Sequence, residues 1–441
     1  MTIGRAGICF DRALERLFQL RLDLLYFIDH DITDAVPDHS TICKTRKRIP
    51  VEVFDAVFNH ILSLCVESGM VSGKIQSIDS AYINANATLD RMVEVKMVDR
   101  SPDEYLDEIK SQDEPTEEEK ELARKRVEKS QKTLEGFTEM RLKKYTEQDG
   151  GSDRRKNRRR FLSNATHLSE TDHDARIAKK SGKPRMLCYS AMMSVDADSH
   201  VVTNISAEHA SKKDSRYLLD TVDITCTRLE QFGLTVETIL ADTGFSSGEN
   251  YFVLNEWNLD AYIPLHGGYK KVREGFEYQK KKDRYKCQSG KYLLYKRTST
   301  TGGYEKKHYE SSRRDCNICP FRSQCINSHG IRRIVHTLYK EEYDEMAKKL
   351  KKKKGREMYQ IRMHTVEPVF GTLQQHYGLP WINTRGIDRA NKLMLMSSAA
   401  LNLKKWMRTE IQSIKIDLYR LIFKLRDSIH LKAIPLRNNY F

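Results

Sequence analysis

Three acids stand among residues that do not neutralise them. Asp79 lies in GKIQSIDSAYINANA, surrounded by apolar or β-favouring residues, with no Lys or Arg beside it. Asp242 closes the apolar run of TILADTGFSSGEN, where a Gly-containing turn begins. Glu367 sits in RMHTVEPVFGTL, beside Val366, Val369 and Phe370. Asp is depleted in strands and rarely buried without a partner, so such an acid either caps a turn or awaits a ligand. Taken singly, Asp242 can start an Asx-turn and Glu367 can cap a helix. Pro368 marks that helix as starting or kinking at the acid, because Pro is tolerated only in a first turn. Taken together, three carboxylates from two strands and one helix can form an oxygen-ligand site for two Mg²⁺ (or Mn²⁺) ions. Paired ions roughly 4 Å apart activate water and stabilise a leaving oxygen in phosphodiester displacement.

A second constellation is made of thiols. Cys316, Cys319 and Cys325 lie in RDCNICPFRSQC, with Cys287 upstream in RYKCQSG. A Cys-x-x-Cys pair with two further cysteines can supply a tetrahedral structural Zn²⁺ site, in which His308, His329 or His336 could replace one ligand. The alternative is a set of free thiols in a loop. Cys9, Cys43, Cys65, Cys188 and Cys226 are scattered through apolar stretches and read as core thiols. Nine cysteines in a Lys-rich chain suggest reduced thiols or metal ligands, not a disulfide framework.

The partner follows from charge. With 76 Lys+Arg against 61 Asp+Glu, the formal net charge is +15, which favours a polyanion, nucleic acid before an anionic membrane. No apolar run approaches the roughly 18–20 residues of a membrane span, and residues 1–16 carry no signal-peptide hydrophobic stretch. These features point to a cytoplasmic, nucleoid-associated protein with no membrane partner. Arg154, Arg155 and Arg158 in QDGGSDRRKNRRRF suit phosphate contacts, and Lys281 lies in a Lys- and Tyr-rich stretch that suits backbone contact with stacking. Trp381 in GLPWINTRG reads as a packing residue on a loop, with insertion into distorted DNA as the alternative.

These residues need elements to position them. FDRALERLFQLRLDLLYFI has a helical apolar stripe interrupted by Arg21; DHSTICKTRKRI reads as a short cationic helix capped by Ser40 or Thr41, and VEVFDAVFNHILSLCVESG as a third helix. The set could form a helix-turn-helix reader or a small helical subdomain. Residues 74–87 read as a strand; the charge-laced stretch after them, with capping boxes at SPDE and TEEE, reads as an inserted helical hairpin. An antiparallel hairpin is expected over 185–208 around DADS, then a helix over 212–233, a strand over 235–242, a helix over 246–257 and a strand over 260–266. This order indicates an α/β sheet with helices on its faces. Residues 268–345 read as strand-poor, and IDRANKLMLMSSAALNLKKWM (387–407) as an amphipathic helix capped by Thr384.

SIDSAYINANA, ILADTGFSSGENY and HTVEPVFGTLQQHYGLPWINTRGIDRANKLMLMSSAALNLKKW resemble the first-Asp strand, second-Asp segment and Glu helix of the DDE transposases of bacterial insertion sequences. The segments TDHDARIAKKSGKPRMLCYS and RALERLFQLRLDLLYFI continue the resemblance over nearly the whole chain. It implies an α/β, RNase-H-like mixed sheet flanked by helices. The implied organisation has an N-terminal helical DNA-binding domain (1–72), a first part of the catalytic domain (73–266, with a helical insertion over about 90–165) and a small zinc-knuckle-like insertion (267–345). The Glu-bearing and C-terminal helices (346–408) and a basic tail (409–441) complete it. It further implies that Asp79, Asp242 and Glu367 form the catalytic triad on two Mg²⁺ ions, that the four cysteines hold Zn²⁺, and that Arg362 contacts a phosphate; Arg385 is a further candidate DNA contact. The partners would be the inverted repeats of a transposon end and target DNA, with a homodimer in the synaptic complex. Two departures stand out. One residue more than the family spacing separates Arg362 from Glu367, and Gln374 occupies the position of a phosphate-binding Lys. The chain also begins close to its first helix, and a shortened reading frame stays open. The rival readings are another metal nuclease of the same fold and a relic that binds DNA without cutting it.

Overall fold

In the computed structural model the chain is described over residues 11–94, 162–164, 166–179, 182, 184–267, 269, 274–301, 304–326 and 330–428. The helical hairpin expected after residue 94, the arginines 154, 155 and 158, Cys9 and the last residues fall outside them. The strand carrying Asp79, β1 (Ile75–Asn84), is the middle of the main sheet. It pairs antiparallel with β5 (Met186–Asp196), which pairs antiparallel with β4 (Arg176–Ala178) and β6 (Val202–His209) along its other edge. On its second side β1 pairs parallel with β7 (Thr238–Ala241), and β7 parallel with β8 (Asp260–Tyr262). Ten of the eleven residues of β5 are buried in succession, so both faces of the sheet are covered. A two-stranded ribbon joins β2 (Met92–Glu94) to β3 (His167–Ser169).

The expected β5–β6 hairpin is present, and buried Asp196 holds its turn by accepting from the Ser199 N–H at 3.0 Å and the Gly73 N–H at 3.0 Å. Its second strand is also held from outside the sheet. Asn402 accepts from the Val202 N–H at 2.9 Å and donates to the Val202 carbonyl at 2.8 Å, imitating a neighbouring strand.

The N-terminal stripe is two helices, not one. α1 (Asp11–Leu20) and α2 (Leu22–Phe27) break at Arg21, which is extended. α3 (His39–Arg48) is capped by Asp38, which accepts from the Thr41 N–H; Ser40 and Thr41 lie inside it. α4 (Val51–Glu67) buries Phe58, Leu62 and Cys65 in the same core as β1, β5 and β7. α5 (Leu218–Glu230) packs on β5 and β6, and α6 (Gly248–Glu256) packs beside it. No single helix among the described residues is long and apolar enough to cross a membrane.

Residues 268–345 depart from the strand-poor expectation. β9 (Phe276–Gln279), β10 (Arg284–Cys287), β11 (Tyr292–Thr301), β12 (Tyr304–Ser311) and β13 (Arg333–Thr337) form a fully antiparallel sheet, with short helices α7 (Arg313–Asn317) and α8 (Arg322–Cys325) between the last two strands. Its core is four side chains, Tyr285, Leu293, Tyr309 and Ile334. Lysines on the exposed rows hide the strand signal from any reading by hydrophobic content, although Tyr and Thr favour strands. The segment is a small antiparallel sheet, not the strand-poor stretch that its sequence suggests.

α9 (Lys340–Lys351) leads into α10 (Lys353–His376), which carries Glu367 and runs straight through Pro368. Gly355, Met358, Arg362, Thr365, Val366, Val369, Phe370 and Leu373 form its buried stripe, at helical spacing. That packing outweighs the missing N–H of Pro368, so the helix neither starts nor stops there. α11 (Ile387–Ser428) extends well past residue 407 and packs on α4 and β6. Thr384 does not cap it: its hydroxyl has no hydrogen-bond partner among the described residues.

Replacing Asn402 by Leu leaves the Val202 N–H and carbonyl buried and unpaired, at about 1–3 kcal/mol each. The expected result is a lower urea midpoint with an unchanged slope.

Candidate active site

Register brings the first two acids together. In the parallel β1–β7 pair, Ser77 faces Leu240 and Ile78 faces Ala241. One further step sets Asp79 opposite Asp242, and neighbouring strands lie about 4.8 Å apart. Side chains directly opposite in a parallel pair share a face, so both carboxylates project on the side where α10 packs against β1 and β7.

The third acid reaches the same place through an arginine. The Arg362 guanidinium donates to Asp79 Oδ2 at 3.4 Å and to Glu367 Oε1 at 3.2 Å. Its side chain is only 10% exposed, against 17% for Asp79 and 52% for Glu367. Arg362 is therefore a mostly buried cation between two of the three acids. Its place in the buried stripe of α10 is the cause. Asp79 is not without a cation; its partner comes from a distant helix instead of a neighbouring residue.

Burial pushes the Asp79 carboxyl up to about 6. The Ser80 N–H, donating at 2.7 Å, acts against this. The nearby charges of Asp242 and Glu367 raise it further, and Arg362 lowers it. Asp242 accepts from the Gly244 N–H at 2.8 Å, which holds its turn. A Cβ on Gly244 would meet Asp242 Oδ1 at 3.0 Å and Asp214 Oδ2 at 3.3 Å, so a side chain here would crowd both carboxylates. That contact reveals a fourth carboxylate beside the site. Asp214 lies in the short turn before α5, and nothing in KKDSRYLLD marks it apart from other loop acids.

Among the described residues, no group of three or more His, Cys, Asp or Glu is arranged to hold a metal ion. For the acids the donor chemistry still fits a hard cation. Oxygen ligands converge from two strands and a helix, and their mutual repulsion is what a bound cation relieves. Arg362 already occupies one oxygen each of Asp79 and Glu367. For the thiols no such ligand group is formed among the described residues. Cys287, Cys316, Cys319 and Cys325 line one small pocket of about 30 Å³ with Phe276, Leu293, Phe321 and Ile326. Cys316 Sγ and Cys319 Sγ make their contacts with the Ser311 and Ser289 hydroxyls, at 2.9 and 3.0 Å. The expected zinc site is not supported; the cysteines are free thiols packed at the end of the small sheet.

Beside Asp242 opens a cleft of about 740 Å³, between the Lys213–Ser215 and Thr243–Ser246 turns and the small sheet. Lys213, Lys306 and Lys340 line it together with Tyr82, Tyr269, Tyr278, Tyr285 and Tyr343. Lys281 lies on the exposed turn between β9 and β10, Arg385 is exposed before α11, and Trp381 is 54% exposed beside β1.

Folded, Asp79 binds its proton more tightly than unfolded, so stability falls as pH rises from about 4 to about 6, and above that the full cost remains. A carboxyl raised from 3.8 to about 6 costs on the order of 3 kcal/mol at neutral pH. Asp79→Asn in chelator-treated protein is expected to raise stability at pH 7 by up to that amount, with the gain vanishing near pH 4. Urea denaturation at both pH values measures this, and a less stable variant at pH 7 would mean that the Arg362 pair outweighs burial.

Comparison with known proteins gives two family matches. A transposase DDE domain model matches residues 286–407, a span that holds Arg362 and Glu367 but not Asp79 or Asp242. A transposase domain (DUF772) model matches residues 6–48, which include α1 to α3. No curated protein and no solved structure matches. A transposase model thus matches near each end of the chain, over less than half of it, and the two matches support an insertion-sequence DDE transposase.

Proposed function

We propose that this transposase cuts and joins DNA with a divalent cation held by Asp79, Asp242 and Glu367, on a catalytic sheet of RNase-H-like fold. The observation that carries the reading is the β1–β7 register, which sets Asp79 beside Asp242 under the helix bearing Glu367. DDE transposases generally use divalent metal, and a pair of Mg²⁺ or Mn²⁺ ions suits carboxylate ligands. Bound there, the metal would supply the positive charge that acidifies a water and offsets charge on a leaving oxygen.

The chain's own residues would do the rest. Asp79 must be ionised to ligate, which its raised pKa confines to pH above about 6 without metal. Arg362 would have to release at least one acid on metal loading, and its charge would then face the DNA phosphates. Lysines and tyrosines of the cleft beside Asp242 suit a phosphate backbone and unpaired bases. In cleavage, a water oxygen replaces the bridging 3′ oxygen at phosphorus and leaves a 3′-hydroxyl. In strand transfer, that hydroxyl attacks a target phosphodiester and displaces its bridging oxygen. The proposed substrate is a pair of transposon ends, which calls for a homodimer at synapsis and a place in the nucleoid. The proposed division of labour has residues 1–72 reading DNA, 73–266 and 346–408 forming the catalytic unit, 267–345 flanking it and 409–441 extending it.

The Arg362 pairing favours one rival, a DNA-binding relic whose acids are permanently neutralised. Incubation of intact and of pre-cut transposon ends with a target plasmid separates the readings. Cleavage and joining that fall by roughly a thousandfold in Asp79→Asn, Asp242→Asn and Glu367→Gln, equivalent to about 4 kcal/mol, with DNA binding kept, support the catalytic reading. A wild-type chain that binds ends but never nicks them overturns it, and one that nicks without joining is a plain nuclease.

A further inference from the structure

A second polar concavity lies where the N-terminal helices meet the start of α11. Arg46 and Lys47 from the end of α3, and Thr384, Arg385, Arg389 and Lys392 from around the start of α11, line a pocket of about 260 Å³ with no carboxylate in its wall. Bringing these cations together costs like-charge repulsion. Lys392 is buried and donates to the Ile49 carbonyl at 2.6 Å, tying α11 to the end of α3. Lys47, Arg385 and Arg389 are exposed, and none has a carboxylate within ion-pair distance among the described residues. The Thr384 hydroxyl is out of solvent there without a hydrogen-bond partner. The first amides of α11 are already occupied, since the Ile387 N–H donates to Asp174 and the Gly386 N–H to Asp172. An anion in this pocket would therefore be held by side chains, not by the helix terminus.

We infer that the pocket binds backbone phosphates of the DNA flanking the cut, with Arg385 and Arg389 as its main contacts. The inference rests on the reading of the acids as a DNA-cutting site. Distance supports the assignment. The pocket includes Asn86, and β1 runs from Asp79 towards it. At about 3.3 Å per strand residue, the pocket lies on the order of 16–23 Å from the acids. With roughly 3.4 Å per nucleotide along one strand, that is about five to seven base pairs from the scissile phosphate. Because its walls come from both the N-terminal helices and α11, one DNA segment seated there would hold the two regions in a single orientation.

The test is fluorescence anisotropy of the full chain on a labelled random-sequence duplex across a potassium chloride series. Arg385→Ala/Arg389→Ala is expected to weaken binding roughly tenfold and to flatten the slope of log affinity on log salt by about 1.8, or 0.9 for each lost contact. A control, Lys351→Ala/Lys353→Ala, removes the same charge from exposed positions and is expected to keep the wild-type slope. Unchanged affinity and slope in the arginine variant, or an equal loss in the control, overturns the pocket. A wild-type chain that binds no duplex even at low salt overturns the DNA-acting reading beneath it. Both arginines are exposed, so circular dichroism should show an unchanged melt in the variant.

Discussion

Two carboxylates on adjacent parallel strands repel each other, and their closeness is a cost that the rest of the sheet must carry. The parallel pairing of β1 with β7 sets Asp79 opposite Asp242, and neither strand can slip without turning its apolar residues to the wrong face. Ile78, Ile239 and Ala241 are wholly buried around the two acids. Hydrophobic packing thus enforces a register that electrostatics alone would reject; burial raises the Asp79 pKa, and the neighbouring acids add to it. Sites of this kind trade stability for function, since unfavourable charge is kept where a ligand can use it.

Arg362 is the local compromise. A buried guanidinium between Asp79 and Glu367 offsets part of the repulsion while its Nε stays buried without a hydrogen bond. Unsatisfied donors are costly in low dielectric, so the arrangement is not the best that an arginine can reach. A cation supplied from outside and a cation supplied by α10 compete for the same oxygens. On the proposed reading, that competition links metal loading to the position of the guanidinium.

The outlying parts are bound to this centre by polar clamps as much as by apolar packing. Asn402 completes the outer edge of β6, Lys392 holds the end of α3, and the Asp172 and Asp174 carboxylates occupy the first amides of α11. In the small sheet, the Tyr285 hydroxyl contacts His336 at 2.7 Å, and Tyr278 and Tyr309 both donate to Asp283 at 2.6 Å. Phenol rings supply apolar area while their hydroxyls stay satisfied. A sheet too small for an aliphatic core can be built this way.

Read from residues alone, the three acids, the β5–β6 hairpin and the alternation of strand and helix through 186–262 were legible, because each depends on local periodicity or on a short turn signal. The break at Arg21 was visible as a flaw in a stripe. The small sheet was not, since its strands are polar on one row and its core is four residues drawn from four strands. Cysteine spacing suggested a zinc site that the packed thiols and their serine partners do not support. Pro368 looked like a helix boundary, but tertiary packing of Val366, Val369 and Phe370 carries the helix past it. Arg362 shows the division most sharply. Its charge and its helix were plain in the sequence, whereas its burial against Asp79, 283 residues away, came only from folding. Local chemistry follows from neighbours along the chain, but the partner of a buried charge is chosen by which distant element packs against it.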